Sequence, residues 1–396
     1  MYKDIYKNKN VFKKPNKHAN FCLQMNPDQK YTAVVISPLN ALMEDQISKW
    51  NTKGIPCIAV HDAKSAERAT QQHFDIVFTS PEYCLTDCFR TTLLAIANKL
   101  CVITFDEVHC IAHWGLSGFR PKYTQAAELL SIITTVPVLL MTATINEKVK
   151  NDVLSVLAIS DYHTVAANPD RPEIFLDVRT KTNTCLQWLV DELLTYKQKT
   201  DKTIIYCRSA EATIKVYDIL LEGLEEKMYV KPNSTDASDR LVEQFSSFID
   251  PSTKQRVLTL FSKDSNLRVV VTTVAFGMGI DIDDVRTVVL WGLPENCSEY
   301  WQQVGRACRD GKRGRAILYK AQSNLPVSDE IKGVFQHRSS EVCIRWAIIS
   351  KIHLSSVNVK SSQPTRCNKM CSVCDCAMCL CCCNCRMQCP CYVTDT

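Results

Sequence analysis

Two adjacent carboxylates, Asp106 and Glu107, follow the apolar, β-branched run Cys-Val-Ile-Thr-Phe at 101–105. Such a run has the pattern of a strand buried on both faces of a parallel sheet. In open α/β sheets, ligands gather at the carboxyl ends of strands. A carboxylate there can hold Mg²⁺, usually through water, and its neighbour can orient and deprotonate an attacking water. His109, two residues on, is placed to sense the phosphate side and relay it elsewhere. An acidic pair alone is most often an ordinary loop, but the continuation through Tyr123 tips the balance. Trp114, Phe119 and Arg120 make an aromatic loop with an interleaved cation, able to stack on unpaired bases and touch phosphate.

A second set of groups lies far downstream. The β-branched run at 268–274, which includes Thr272 and Thr273, leads into Ala-Phe-Gly-Met-Gly-Ile-Asp. Gly277 and Gly279 permit a tight turn and close approach by phosphate, and Asp281 can bond a ribose or orient neighbouring arginines. Arg306 and Arg309, three apart, are expected on one helical face. There they can offset transition-state charge on a γ-phosphate as an arginine finger does. Of 22 cysteines, eleven crowd into residues 367–391. Four thiolates around a tetrahedral Zn²⁺ would substitute for the core that so short a segment cannot bury.

The elements that must position these groups alternate between strands and helices. Buried strands are expected at 33–36, ending in Ser37-Pro38, at 74–79, ending in Thr79-Ser80-Pro81, and at 136–144, ending in Thr142-Ala143-Thr144. An amphipathic helix is expected over 40–50. The Pro-rich break Asn-Pro-Asp-Arg-Pro at 168–172 reads as a domain boundary. Strands at 174–178, 203–207, 268–274 and 288–291 and a helix over 208–224 follow it. Residues 228–261 read as loop and then helix from 254, with no chemistry assigned. Near the front, residues 2–12 look like a basic helix leading into a strand start. No G-x-x-x-x-G-K-[ST] occurs anywhere, and no glycine precedes Gly54. Without those glycines, consecutive backbone N–H groups cannot wrap a β-phosphate.

Composition sets wide bounds. The apolar fraction of 46% is that of a globular protein, and the net charge of +5 suits a nucleic-acid partner without requiring one. No run of eighteen apolar residues exists, so no membrane span is expected. The first residues carry no apolar core of an export signal. The scattered cysteines therefore read as reduced thiols of a nuclear or cytosolic protein, and disulfides in the tail are disfavoured.

The string DEVHCIAHWG…FRPKY closely resembles the Walker B box and aromatic-rich loop of the RecQ-family DNA helicases of superfamily two. His113 stands where that family usually has glutamine. VISPLNALMEDQ is similar to motif Ia, FDIVFTSPEY to Ib, VPVLLMTAT to III, the stretch around 203–224 to IV, TTVAFGMGID to V and YWQQVGRACRDG to VI, with Cys308 in place of a glycine. The resemblance implies an α/β chain of two tandem RecA-like parallel-sheet domains plus a small Cys-rich zinc-binding C-terminal segment. It divides the chain at 1–167 (N-terminally incomplete, Walker A missing), 168–320 and 321–396. It also implies ATP, Mg²⁺ and Zn²⁺ as cofactors, single-stranded and duplex DNA as partners, and 3′ to 5′ unwinding in repair or recombination, in the nucleus or else the cytoplasm.

By the same resemblance, Asp106 holds Mg²⁺, Glu107 activates water, and Arg306 and Arg309 sense the γ-phosphate, tied to the second lobe by Gln302 and Asp281. Trp114, Phe119 and Arg120 report bound DNA. Ser37, Pro38, Thr79, Thr142, Thr144, Thr272 and Thr273 belong to the DNA path. The zinc ligands would be Cys343, Cys371 and Cys374, with Cys367 or Cys376 as the fourth; a metallothionein-like metal sink is the competing expectation for this tail. The missing phosphate cradle motivates a second expectation, a helicase-like DNA- and zinc-binding protein with impaired catalysis.

Overall fold

The computed structural model describes residues 30–356 and 380–389, apart from 39, 117, 119, 135, 183, 247, 278–281, 321–324 and 337–341. The expected basic helix at 2–12 lies outside these, as do Phe119, Gly279, Asp281, Cys367, Cys371 and Cys374. The chain divides into two compact units, residues 1–165 and 166–396.

In the first unit, β1 (Thr32–Ile36), α1 (Asn40–Asn51), β2 (Cys57–Val60), α2 (Ala63–Gln71), β3 (Ile76–Thr79), α3 (Asp87–Ala95), β4 (Leu100–Phe105), α4 (Ala127–Ile132), β5 (Val138–Leu140) and α5 (Glu147–Val156) follow in order. The five strands form one parallel sheet in the order β2-β3-β1-β4-β5. Every residue of β1, β3 and β4 is buried, as expected of strands covered on both faces. Alternate side chains serve different cores. Val34, Ile36, Val77, Ile103 and Phe105 pack with Phe89 and Leu93, while Val35, Ile76 and Phe78 pack with Met43 and Trp50. Helix starts are set by side-chain caps from Asp62, Thr86 and Asn146.

The register decides where the chemistry sits. Ile36 pairs with Thr79 on one side and with Phe105 on the other. Ser37 and Asp106 therefore leave the sheet side by side: Ser37 N–H donates to Thr79 O (2.9 Å) and Asp106 N–H to Ile36 O (2.9 Å). The strand expected over 136–144 is shorter and less covered. Only Val138–Leu140 is extended, and it is half-buried, because β5 is the edge of the sheet among the described residues.

In the second unit the order is β6 (Ile174–Thr180), α6 (Gln187–Tyr196), β7 (Lys202–Cys207), α7 (Ala210–Leu224), β8 (Val242–Phe245), α8 (Pro251–Ser262), β9 (Val269–Thr272), β10 (Val285–Trp291), α9 (Cys297–Val304), β11 (Gly314–Lys320), α10 (Asp329–Gln336), α11 (Ile344–Ile352) and α12 (Cys383–Met387). Six parallel strands run β6-β11-β10-β7-β9-β8. Val288, Leu290, Ala316 and Leu318 face α9 and α11 through Tyr300, Trp301, Val304 and Ile348. Val289, Ile317 and Tyr319 face α6 and α7 through Leu189, Leu193, Val216 and Leu220. Residues 242–245 correct the loop expected there. They form β8 although Glu243 is buried within it, because Arg256 on α8 pairs with that carboxylate at 2.8 Å. The described part of the Cys-rich segment belongs to this unit, α12 packing against β6.

Candidate functional site

The acidic pair sits where β4 ends. Asp106 Oδ1 accepts from the Glu107 backbone N–H (3.0 Å), and its Oδ2 accepts from Gln46 Nε2 on α1 (3.4 Å). Glu107 has a left-handed backbone, φ 47°, a conformation that costs a residue with a Cβ roughly 1–2 kcal/mol. Its carboxylate turns towards His109, with Oε2 3.4 Å from Nδ1. His109 Nδ1 also lies 2.8 Å from Thr142 Oγ1, and the Thr142 hydroxyl donates to Thr144 O at 3.0 Å. Since that hydroxyl is spent as a donor, Thr142 Oγ1 accepts from His109, which assigns the Nδ1–H tautomer. Burial, and secondarily the nearby His113, push the His109 pKa down to about 4. The imidazole is thus a neutral relay between the acidic pair and the Thr142–Thr144 turn.

The aromatic loop is not irregular. Ile111–Gly115 form a π-helical turn and Pro121–Ala126 a 3₁₀ turn. Trp114 is half-buried. Arg120 ties this loop to two other strand ends. Its guanidinium grips Glu82 bidentately (2.7 and 2.5 Å) and also donates to Pro38 O. It lies 5.8 Å over the Trp114 ring and 5.5 Å over Tyr123. Burial is the largest single influence on the Glu82 carboxyl and would raise its pKa, but the hydrogen bond and charge of Arg120, with further hydrogen bonds from the backbone and Ser80, together hold it below its ordinary value. Glu82 and Gln46 lie within the strings FDIVFTSPEY and VISPLNALMEDQ, but neither takes a role of its own from the sequence, because their partners Arg120 and Asp106 are 38 and 60 positions away.

Several residues expected on a nucleic-acid path are interior. Ser37, Pro38, Thr79 and Thr272 are buried; the Thr79 hydroxyl donates to Val60 O (3.0 Å) and that of Thr272 to Thr273 O (2.9 Å). The hydroxyls of Thr79 and Thr272 thus brace strand ends, whereas Ser37 Oγ is buried without a hydrogen-bond partner among the described residues. Thr144 is buried too, whereas Thr142 and Thr273 are half-buried. Gly277 closes a 3₁₀ turn that follows β9.

In the second unit the arginine pair departs from expectation. Helix α9 ends at Val304 with Gly305 as its cap, so Arg306 and Arg309 lie in the turns beyond it and not on a helical face. The cause is local. Cys308 adopts φ 59° and its N–H donates to Val285 O (2.8 Å), bending the chain back towards β10. Both arginines still border one small cavity of about 10 Å³ with Tyr206, Phe276 and Ile282. Gln302 is half-buried on α9. The turn is held by Arg171, whose guanidinium donates to Gly305 O (3.0 Å), Ala307 O (2.8 Å) and Cys308 O (3.0 Å). Arg171 was legible only as part of a domain break, because its partners are distant main-chain carbonyls.

The same unit gathers four cysteines. Cys343, Cys381, Cys382 and Cys385 are buried with all four sulfurs within 4.8 Å of one another. Cys343 was expected here. The other three come from the part of the tail that spacing could not place. Hydrogen bonds among the thiols hold Cys343 and Cys382 below the ordinary thiol range and push Cys381 and Cys385 above it. The cluster is anchored to β6, where Leu176 N–H donates to Cys381 O (3.2 Å). Arg345 joins it to the domain break by bonding Cys381 O (3.2 Å), Asp170 Oδ1 (2.8 Å) and Arg171 O (2.7 Å).

Comparison with known proteins bears on both units. Residues 17–152 match the DEAD/DEAH box helicase family and residues 184–311 the helicase conserved C-terminal domain. The chain is 31% identical over 293 residues to the ATP-dependent DNA helicase RecQ of Haemophilus influenzae, covering 72% of this chain and 44% of that protein. It is 28% identical over 361 residues to the ATP-dependent DNA helicase Q1 of Rattus norvegicus, covering 86% and 55%. It thus spans about half the length of these relatives. Among solved structures, S. cerevisiae Dbp5 bound to RNA and ADP BeF3 aligns with a TM-score of 0.59 at 16% identity, over 86% of this chain and 81% of that one. Mycobacterium smegmatis helicase Lhr bound to ssDNA and AMP-PNP aligns at 0.55 and 18%, over 74% and 40%. These likenesses establish two tandem RecA-like folds. With both helicase domains in order and RecQ proteins among its relatives, the chain belongs with the RecQ-like helicases of superfamily two.

Proposed function

We propose that the chain is the motor of an ATP-dependent DNA helicase of the RecQ kind, moving 3′ to 5′ and serving DNA repair or recombination in the nucleus. The observation that supports it most is the relay from Asp106 and Glu107 through His109 to Thr142 and Thr144, which links a site for hydrolysis to a strand-end turn. Asp106, held by Gln46 and the Glu107 N–H, suits water-mediated Mg²⁺. Glu107 activates the attacking water, and Arg306 and Arg309 offset charge on the γ-phosphate of ATP. Trp114, Phe119 and Arg120 couple single-stranded DNA, and duplex ahead of it, to that chemistry.

The four buried thiols fit a zinc ion. Sulfurs about 2.3 Å from a tetrahedral Zn²⁺ stand about 3.8 Å apart, and here all lie within 4.8 Å of one another. When bound, the ion would supply structure and no chemistry.

One observation favours a second reading, a DNA- and zinc-binding protein with impaired turnover: the sequence holds no phosphate-cradling loop. Positioning of the triphosphate is most of what such a catalyst contributes. DNA-stimulated ATP hydrolysis by the 396-residue chain decides between them. The impaired reading expects little turnover, rising when a phosphate-loop segment is inserted after Phe12. Steady turnover by the unaltered chain, abolished in Glu107→Gln, would rule out the impaired reading.

A further inference from the structure

A groove of about 670 Å³ opens in the second unit, on the α6 face of the sheet and therefore opposite α9. Its floor is a row across three strands, Phe175 on β6, Arg315 on β11 and Thr287 on β10, which pair directly. Arg179, Lys199, Arg286, Arg313, Arg315 and Arg386 line it, against the carboxylates Asp177, Glu192 and Asp201. Six cations stand against these three anions, and Asp310 beside the groove pairs with Arg286 (2.8 Å), which leaves a net charge of +2. Two of the carboxylates are already engaged, Asp177 by Arg179 (2.7 Å) and Glu192 by Arg315 (2.9 Å).

The guanidiniums are held in place. Arg315 lies 4.4 Å over the Trp188 ring and Arg386 4.0 Å over Phe175. Stacking fixes each planar fork and lowers the entropy lost when it binds. The Tyr196 ring, 58% exposed, stands at the rim. A volume within the roughly 300–1,000 Å³ of ligand clefts, oriented guanidiniums and a rim aromatic match phosphates carrying flat bases. An acidic peptide would offer the charge without the partner for the ring.

We propose that this groove binds the sugar-phosphate backbone of a nucleic-acid strand, at a place distinct from the aromatic loop around Trp114; the proposal rests on the reading of the chain as a nucleic-acid motor. Lys199 and Arg313 are exposed, so charge reversal at both removes no buried side chain. The test is fluorescence anisotropy of the full chain with fluorescein-labelled dT20 across a KCl series, comparing the unaltered chain, Lys199→Glu/Arg313→Glu and Trp114→Ala. The groove variant should bind roughly five- to tenfold more weakly, and its slope of log K against log salt should be shallower by about 0.7 for each phosphate that the groove no longer neutralises. Unchanged affinity and slope in the groove variant, with Trp114→Ala still weakened, would overturn the groove and leave the motor reading standing. An unaltered chain that fails to bind dT20 would overturn both. Displacement of dT20 by a polyglutamate peptide as effectively as by unlabelled dT20 would also overturn the groove as a nucleic-acid site.

Discussion

His109 is a neutral link whose neutrality comes from burial, with His113 adding repulsion, and this makes the first unit sensitive to acid. Its folded pKa, about 4, is below the 6.5 of an unfolded histidine. Between those values the unfolded chain binds more protons, so stability is complete above pH 6.5 and is lost as pH falls towards 4. The cost at pH 5 is about 2 kcal/mol, from about 1.4 kcal/mol per pH unit. Urea unfolding at pH 7 and pH 5 should show that loss in the unaltered chain and a smaller one in His109→Gln, which keeps a donor for Thr142 and cannot charge. Equal losses would show that His109 titrates as it does in the unfolded chain. Close approach dictates a second residue. A Cβ on Gly314 would lie 2.3 Å from Arg286 O and 2.3 Å from Cys308 Sγ. Gly314→Ala should therefore lower the melting temperature of the second unit, at a cost of about 3 kcal/mol or more. Cys308→Gly should not rescue it, because the backbone oxygen remains in the way.

At the scale of elements, the strands that carry the chemistry were legible and the turns that aim it were not. Runs such as 33–36 and 101–105 announce themselves because both sheet faces are covered and all the side chains but that of Thr104 are apolar. β8 was hidden because Glu243 and Gln244 break the pattern, and their partners Arg256 and Thr213 are remote in sequence. The arginine pair looked helical by spacing, yet Gly305 and the left-handed Cys308 end the helix before it. In the tail, spacing pointed to Cys371 and Cys374, which lie outside the described residues, and missed Cys381, Cys382 and Cys385, which come together with Cys343. What shapes the arginine turn is Arg171, through three carbonyls 134–137 positions away. Removing it leaves those carbonyls without their charged donor, at about 2–3 kcal/mol. Arg171→Ala should speed amide hydrogen exchange over 305–308 well beyond that over β7. Unchanged protection there would mean that the turn is held by other groups.

For the molecule as a whole, each unit has its own core, with Phe89, Leu93 and Phe105 in the first and Tyr300, Trp301 and Leu318 in the second. Two unfolding transitions are therefore expected in place of one. Among the described residues, the cysteine cluster belongs to the second unit. Arg345 spans from Cys381 O to Asp170 and Arg171 O, and Arg171 in turn holds the turn that carries Arg306 and Arg309. A metal that fixes the four thiols thus stiffens the arginine turn through two consecutive guanidiniums, without touching it. Chelation of the metal, or Cys343→Ser, should lower the second-unit melting temperature by about 10 °C, the shift expected from roughly 3–4 kcal/mol in a domain of this size. The first-unit transition should stay where it was, since the relay through His109 and Thr142 does not involve the cluster. Differential scanning calorimetry with metal analysis reads both quantities together. About one zinc per chain with a shift confined to one transition fits this wiring; several metals per chain, or no shift on their removal, would return the tail to the role of a metal sink.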